Sequence, residues 1–186
     1  MAARICPPWV GYFLLSPLRK WMENPEKILG PHVNQGMTVL EPGCGMGYFT
    51  LPLARMVGAS GRVIAVDLQP KMLAVLSRRA TRAGLEKRIE LRQAQPGSLA
   101  LEDLGDTVDF AAAIHVVHEM PDQSDFFAQL KNALKPGGRL LVREPKGHVS
   151  RKDFEASLTT ARRIGFHLAD GFSPENSRSA VLMKPS

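Results

Sequence analysis

Apolar positions recur along the chain with two alternating periods. Short runs rich in Val, Ile and Leu are each followed by a longer stretch whose apolar residues return every three or four positions. The runs predict strands over 37–41, 63–67, 89–92, 108–114 and 139–143, and the stretches predict helices over 48–57, 70–83, 122–134 and 152–164. Gly58 and Gly84 close two of these helices, where the chain needs a residue that tolerates left-handed dihedrals. Upstream, 16–33 reads as two short helices broken at Asn24-Pro25, an Asn cap before a proline suited to a first helical turn. Lys135-Pro136-Gly137-Gly138 reads as a turn, because proline fixes its own backbone while the glycines allow positive dihedrals. The alternation predicts an α/β fold of three layers, a parallel sheet with helices on both faces. Two closing strands, 166–172 and 180–184, are separated by only a short polar turn, so one strand of the seven is expected to run antiparallel.

Length and composition narrow this picture. With 186 residues, 44% of them hydrophobic, the chain has enough apolar material for one well-developed core and too little for two. A single domain over 1–186 is expected, with a helical arm over 1–35 and the sheet over 36–186. The only cysteines are Cys6 and Cys44, and Cys44 lies inside a glycine-rich loop where a disulfide would obstruct a ligand. That excludes a disulfide framework and fits a reducing compartment, the cytoplasm. No Cys/His cluster has metal-ligand spacing, so no metal is expected. The net charge of +6 is spread over pairs such as Arg78-Arg79 and Arg162-Arg163, which read as solvated helix faces; nucleic acid stays open as a partner without being indicated. The apolar run 5–18 is interrupted by Pro7, Pro8 and Pro17 and lacks a small-x-small cleavage site. It is too short to span a bilayer and is expected to fold over a ligand site or on the sheet.

The chemistry centres on Thr38-Val-Leu-Glu-Pro-Gly-Cys-Gly-Met-Gly-Tyr-Phe-Thr50. A strand leads into Glu41 and Pro42, glycines fall at 43, 45 and 47, and a helical pattern follows. Glycine is required where the backbone enters regions a Cβ forbids and where a ligand lies against the main chain. A dinucleotide fingerprint is Gly-x-Gly-x-x-Gly, and its third glycine position is Tyr48 here. The next strand ends in Asp67, a carboxylate placed to accept from both hydroxyls of a ribose.

These residues resemble the class I S-adenosylmethionine-dependent methyltransferases. The resemblance rests on Glu41-Pro-Gly-Cys-Gly-Met-Gly47, Val66-Asp67 with Gln69-Pro-Lys-Met72, Val108-Asp109-Phe110, and Leu134-Lys-Pro-Gly-Gly-Arg-Leu-Leu141, in that order. It implies a doubly wound Rossmann-like sheet of about seven strands and S-adenosyl-L-methionine as cofactor. It further implies that Gly43, Cys44, Gly45 and Gly47 border the donor's methionine and ribose, that Glu41 accepts from its ammonium, and that Asp67 binds the ribose beside Leu68. The family's usual acid after the third strand is replaced by Gln95, whose amide oxygen can still accept from an adenine amino group.

Acceptor chemistry is placed after the fourth strand, in His115-Val-Val-His118-Glu119. This loop lacks the Asn/Asp-Pro-Pro-Tyr/Phe motif of enzymes that methylate planar amines. His115 is read as a donor contact or base, Glu119 as its orienting acid, and His118 equally as a packed or functional histidine. Glu144, Lys146 and His148, beyond the fifth strand, and Tyr12 of the arm are expected to border the substrate. The set resembles small-molecule methyltransferases of the quinone-biosynthesis type, acting as monomer or homodimer. Methylation of RNA or protein, and non-catalytic donor binding, are the alternatives.

Overall fold

The computed structural model describes residues 23–169 and 178–186. The first of the two N-terminal helices and Tyr12 therefore lie outside the described residues, as do positions 170–172 of the strand expected over 166–172. Helix α1 (Pro25–Leu29) opens as its residues dictate: Asn24 Oδ1 accepts from Lys27 N at 3.2 Å, with Pro25 in the first turn. It ends four residues short of the expected 33.

The remaining elements alternate. They are β1 (Thr38–Pro42), α2 (Thr50–Met56), β2 (Arg62–Asp67), α3 (Pro70–Arg82), β3 (Ile89–Gln93), β4 (Val108–Ile114), α4 (Gln123–Ala133), β5 (Leu134–Arg143), α5 (Arg151–Arg163), β6 (His167–Leu168) and β7 (Ser179–Met183). The seven strands form one sheet in the order β3-β2-β1-β4-β5-β7-β6. Pairings are parallel from β3 through β5, and β7 runs antiparallel to both β5 and β6. The expected doubly wound sheet with one antiparallel strand is what forms.

Alternation along each strand divides the core. Leu40, Ile64 and Val66 face one layer with Phe126, Phe127 and Leu130 of α4 and Phe154 and Leu158 of α5. Val39, Val63 and Ala65 face the other with Leu29, Leu53, Leu73 and Leu76 of α1, α2 and α3. Side chains on successive strand residues point to opposite faces, so both layers are filled from one sheet. The chain leaves β1 toward β2 and β3 and returns through β4 on the other side. The sheet thus reverses direction between β1 and β4, and the crevice outside their carboxyl ends is where α/β sheets of this kind bind ligands.

Lys135-Pro136-Gly137-Gly138 does not precede β5 but lies within it, as a bulge between the pairs Val108↔Leu134 and Phe110↔Arg139. The local chemistry was read correctly, since Gly137 has φ +74°, but the flanks still pair. Gly137 N donates to Lys184 O and Lys184 N to Gly138 O, both at 2.9 Å. Asp109 is part of the same buckle: its Oδ2 accepts from Thr38 N at 2.8 Å and its Oδ1 from Lys135 Nζ at 2.5 Å. It therefore serves the amino end of the sheet, away from the crevice.

Candidate active site

The loop after β1 is held in a shape that glycine alone takes without strain. Gly43, Gly45 and Gly47 have φ +73°, +53° and +83°. The three are not equivalent. A Cβ on Gly43 would lie 2.6 Å from Val116 Cγ2, and one on Gly47 would collide with Leu76, whereas a Cβ on Gly45 meets nothing within 4 Å. The first and third glycines permit close packing; the second faces open space, where a ligand can lie against the chain.

Four of the loop amides are already used. Gly43 N and Cys44 N donate to Val66 O at 2.8 and 3.0 Å, Gly47 N to Cys44 O at 3.0 Å, and Gly45 N to Asp67 Oδ2 at 2.8 Å. A pyrophosphate needs free N–H groups; this loop offers contact surface and carboxylates instead, which suits a cationic ligand. Arg79 of α3 donates to Met46 O and fastens the loop from behind.

Asp67 closes β2 with both oxygens engaged, the second accepting from Gln69 N at 2.8 Å. Burial pushes its carboxyl above the usual range, and the two N–H bonds partly offset this. Leu68 beside it is 38% exposed, a large apolar face turned to solvent. Glu41 is buried at the end of β1, and Cys44 is buried with it. Burial, with Glu41 and Asp67 near, drives the Cys44 thiol well up and leaves it inert as a nucleophile. Gln95 follows Ala94, whose N–H donates to Asp67 O at 3.0 Å, and its backbone closes a tight turn with Ser98.

Across the switch point, β4 ends in an abrupt bend. His115 has φ +58°, a conformation costing a non-glycine residue about 1–2 kcal/mol. Its N–H donates to Arg143 O at 2.7 Å, and its Nε2 lies 3.0 Å from Glu23 Oε1. Glu23 also receives Arg143 Nε at 3.3 Å, and its carbonyl accepts from Tyr48 Oη at 2.7 Å. The arm is thus tied where it meets the core to the glycine loop, β4 and β5 at once.

The bend continues into a 3-10 turn, Val117–Glu119. His118 Nδ1 lies 2.6 Å from Glu144 Oε2, and His118 N donates to Glu144 Oε1 at 3.2 Å. The hydrogen bond that the imidazole makes to the Glu144 carboxylate raises the His118 pKa, against the effect of burial. Glu119 makes no hydrogen bond to His115, contrary to the orienting role expected for it. Burial raises its carboxyl, as do Asp67 and Glu144 nearby, while His118 acts in the opposite sense. Lys146 and His148 are exposed in the turn after Glu144. Among the described residues no three His, Cys, Asp or Glu side chains converge as a metal would require, and no helix is long and apolar enough to cross a membrane.

The crevice therefore gathers Glu41, Gly45, Asp67, Leu68, Glu119, His118 and Glu144. Glu23, Tyr48, Arg143 and Arg79 were missed from sequence. None carries a local signal, since each acts through partners 25 to 120 positions away.

Residues 33–171 match the family of methyltransferase domains. The ubiquinone/menaquinone biosynthesis C-methyltransferase of Enterobacter sp. (strain 638) is 32% identical over 158 residues, covering 82% of this chain and 62% of that protein. Protein-L-isoaspartate O-methyltransferase 1 of Arabidopsis thaliana is 37% identical over 133 residues, covering 66% of this chain and 51% of that protein. The structure of a SAM-dependent methyltransferase from Aquifex aeolicus superposes with TM-score 0.84 at 24% identity, covering 97% of this chain and 100% of that one. This chain belongs to the class I S-adenosylmethionine-dependent methyltransferases. It spans 62% and 51% of the lengths of these two curated relatives.

Proposed function

We propose that this chain transfers the methyl group of S-adenosylmethionine to a small-molecule acceptor, a reduced quinone ring of the kind named for its quinone-biosynthesis relative. The observation that carries the reading is Asp67 at the carboxyl end of β2, bonded to Gly45 N across a loop whose Gly45 face is open. The donor, when bound, supplies a methyl on a sulfonium that departs as a neutral thioether. The chain's work is to hold it in line with a nucleophile, a positioning effect worth up to ~7–11 kcal/mol of barrier. In this reading Asp67 accepts from the ribose hydroxyls and Leu68 covers one face of the adenine. Gln95 meets the adenine edge, Glu41 holds the ammonium, and Gly43, Cys44 and Gly47 shape the floor. In this reading residues 1–186 act as one domain in the cytoplasm.

Calorimetric titration with S-adenosylmethionine and S-adenosylhomocysteine tests this. Micromolar binding of both, with none of NADH, is expected; binding of neither overturns it. A protein acceptor is the second reading, favoured by the identity with the isoaspartate enzyme. Labelled methyl transfer to an isoaspartyl peptide, with none to 1,4-dihydroxynaphthalene, would establish it instead.

A further inference from the structure

His118 and Glu144, 26 positions apart, meet at the mouth of the crevice. We propose that His118 is the general base for the acceptor and Glu144 its positioning residue, so that the acceptor is a molecule whose nucleophile must first lose a proton from a ring hydroxyl. This rests on the methyl-transfer reading above.

The geometry is that of an oriented base. The Glu144 side chain is 1% exposed, and both its oxygens are directed at one residue, Oε2 at His118 Nδ1 and Oε1 at His118 N. A carboxylate so buried is tolerated because it is paired and hydrogen-bonded. Its bond places the imidazole proton on Nδ1 and leaves the lone pair on Nε2. Among the described residues nothing bonds to Nε2, and 29% of the side chain remains open. His115, the first histidine of the loop, has its Nε2 against Glu23 instead.

The dyad also stands in the right place. Val116, two residues before His118, packs so closely on the glycine loop that Gly43 has no room for a Cβ. Glu119, the next residue, feels the charges of both Asp67 and Glu144. The groups facing His118 are Glu144 from the end of β5 and Glu119 from its own turn.

The acceptor's O–H bond breaks and an N–H bond forms at Nε2, while the oxygen keeps the electron pair and shares it with the ring carbon. That carbon forms the new bond to the donor's methyl as the methyl–sulfur bond breaks and its electron pair stays on sulfur, leaving a neutral thioether. The carbon's own hydrogen then moves to the ring oxygen to restore aromaticity, and the imidazolium returns its proton to solvent. An O-methyl product follows from the same proton transfer if the oxygen itself attacks.

The test uses the full chain with S-adenosylmethionine and 1,4-dihydroxynaphthalene. General acid–base catalysis contributes about 10²–10⁴-fold, so His118→Gln is expected to lower kcat by that factor while donor affinity stays within about threefold. Glu144→Gln removes the group that raises the histidine, so the acid limb of the kcat profile is expected at lower pH. Nitrogen-15 spectra of the imidazole in the donor-free protein give a readout independent of turnover. The wild type shows the Nδ1–H tautomer titrating above the ordinary histidine range, and Glu144→Gln returns it to that range. Turnover by His118→Gln within about threefold of wild type, or an unmoved acid limb in Glu144→Gln, overturns the assignment. Wild-type protein that binds the donor yet methylates no hydroxyl probe overturns the acceptor class. Failure to bind the donor overturns the earlier reading with it, and calorimetry tells the two apart.

Discussion

Asp67 shows how one side chain serves structure and chemistry together. Its carboxylate accepts N–H bonds from Gly45 and Gln69, so it fixes the glycine loop and the start of α3 before any ligand arrives. Each oxygen retains a second lone pair for an incoming hydroxyl. Asp67→Ala is expected to weaken S-adenosylmethionine binding by about 1.5–3 kcal/mol, the worth of hydrogen bonds to a charged group. Calorimetry giving near-wild-type affinity would remove Asp67 from the donor site. Burial raises its pKa, and the form that accepts hydroxyls is the ionised one. Donor affinity is therefore expected to fall as pH drops through that raised value, above the ordinary range of about 3.9, and the Asp67→Ala variant is expected to lose this dependence.

The glycine loop and the turn after β4 differ in how far they could be read from sequence. The loop was legible because its signal is local: a glycine at every second position after a strand marks a turn whose backbone can enter positive φ at each of them. Even so, only the packed structure separates Gly43 and Gly47, which make room for Val116 and Leu76, from Gly45, which faces open space. That difference predicts a contrast. Gly45→Ala and Gly84→Ala both place a Cβ at positive φ with nothing within 4 Å, so each is expected to destabilise the fold by about 1–2 kcal/mol. Urea melts check that equality, and calorimetry separates the pair: only Gly45→Ala is expected to reduce donor affinity, by about tenfold or more. Equal affinities would mean that the ligand does not approach the loop at its second glycine. The dyad was not legible, because it depends on the β4–β5 register that sets Ile114 beside Arg143. Only then do the turns after both strands lie side by side and His118 reach Glu144. The Lys-Pro-Gly-Gly bulge was misread for the same reason: the local dihedral signal was right, but pairing with β4 and β7 outweighed it. Lys184 supports that bulge by donating to Lys131 O at 2.9 Å and Leu134 O at 2.8 Å. Lys184→Met leaves both carbonyls short of a donor and is expected to lower stability by about 1–3 kcal/mol in a urea melt without changing donor affinity.

The charge of the chain and the charge of its crevice have opposite signs. The chain carries +6, yet the switch point collects Glu41, Asp67, Glu119 and Glu144, linked pairwise by the charges that shift Cys44 and Glu119. Lysines and arginines spread over the helices do not offset a field focused between low-dielectric walls. Such a crevice repels a phosphate backbone, which weighs against an RNA acceptor, and it attracts a sulfonium. S-adenosylmethionine has one positive charge more than S-adenosylhomocysteine and is otherwise nearly the same shape, so the pair reports the field directly. Raising salt from ~0.05 to ~0.5 M shortens the screening length from about 14 to about 4 Å and is expected to weaken S-adenosylmethionine binding about three- to tenfold. The neutral thioether is expected to lose less than about twofold under the same change. Calorimetry of both ligands at the two salt concentrations checks this. Equal losses would show that the sulfonium does not sit among these carboxylates, and donor orientation would then rest on the ribose contact at Asp67 alone.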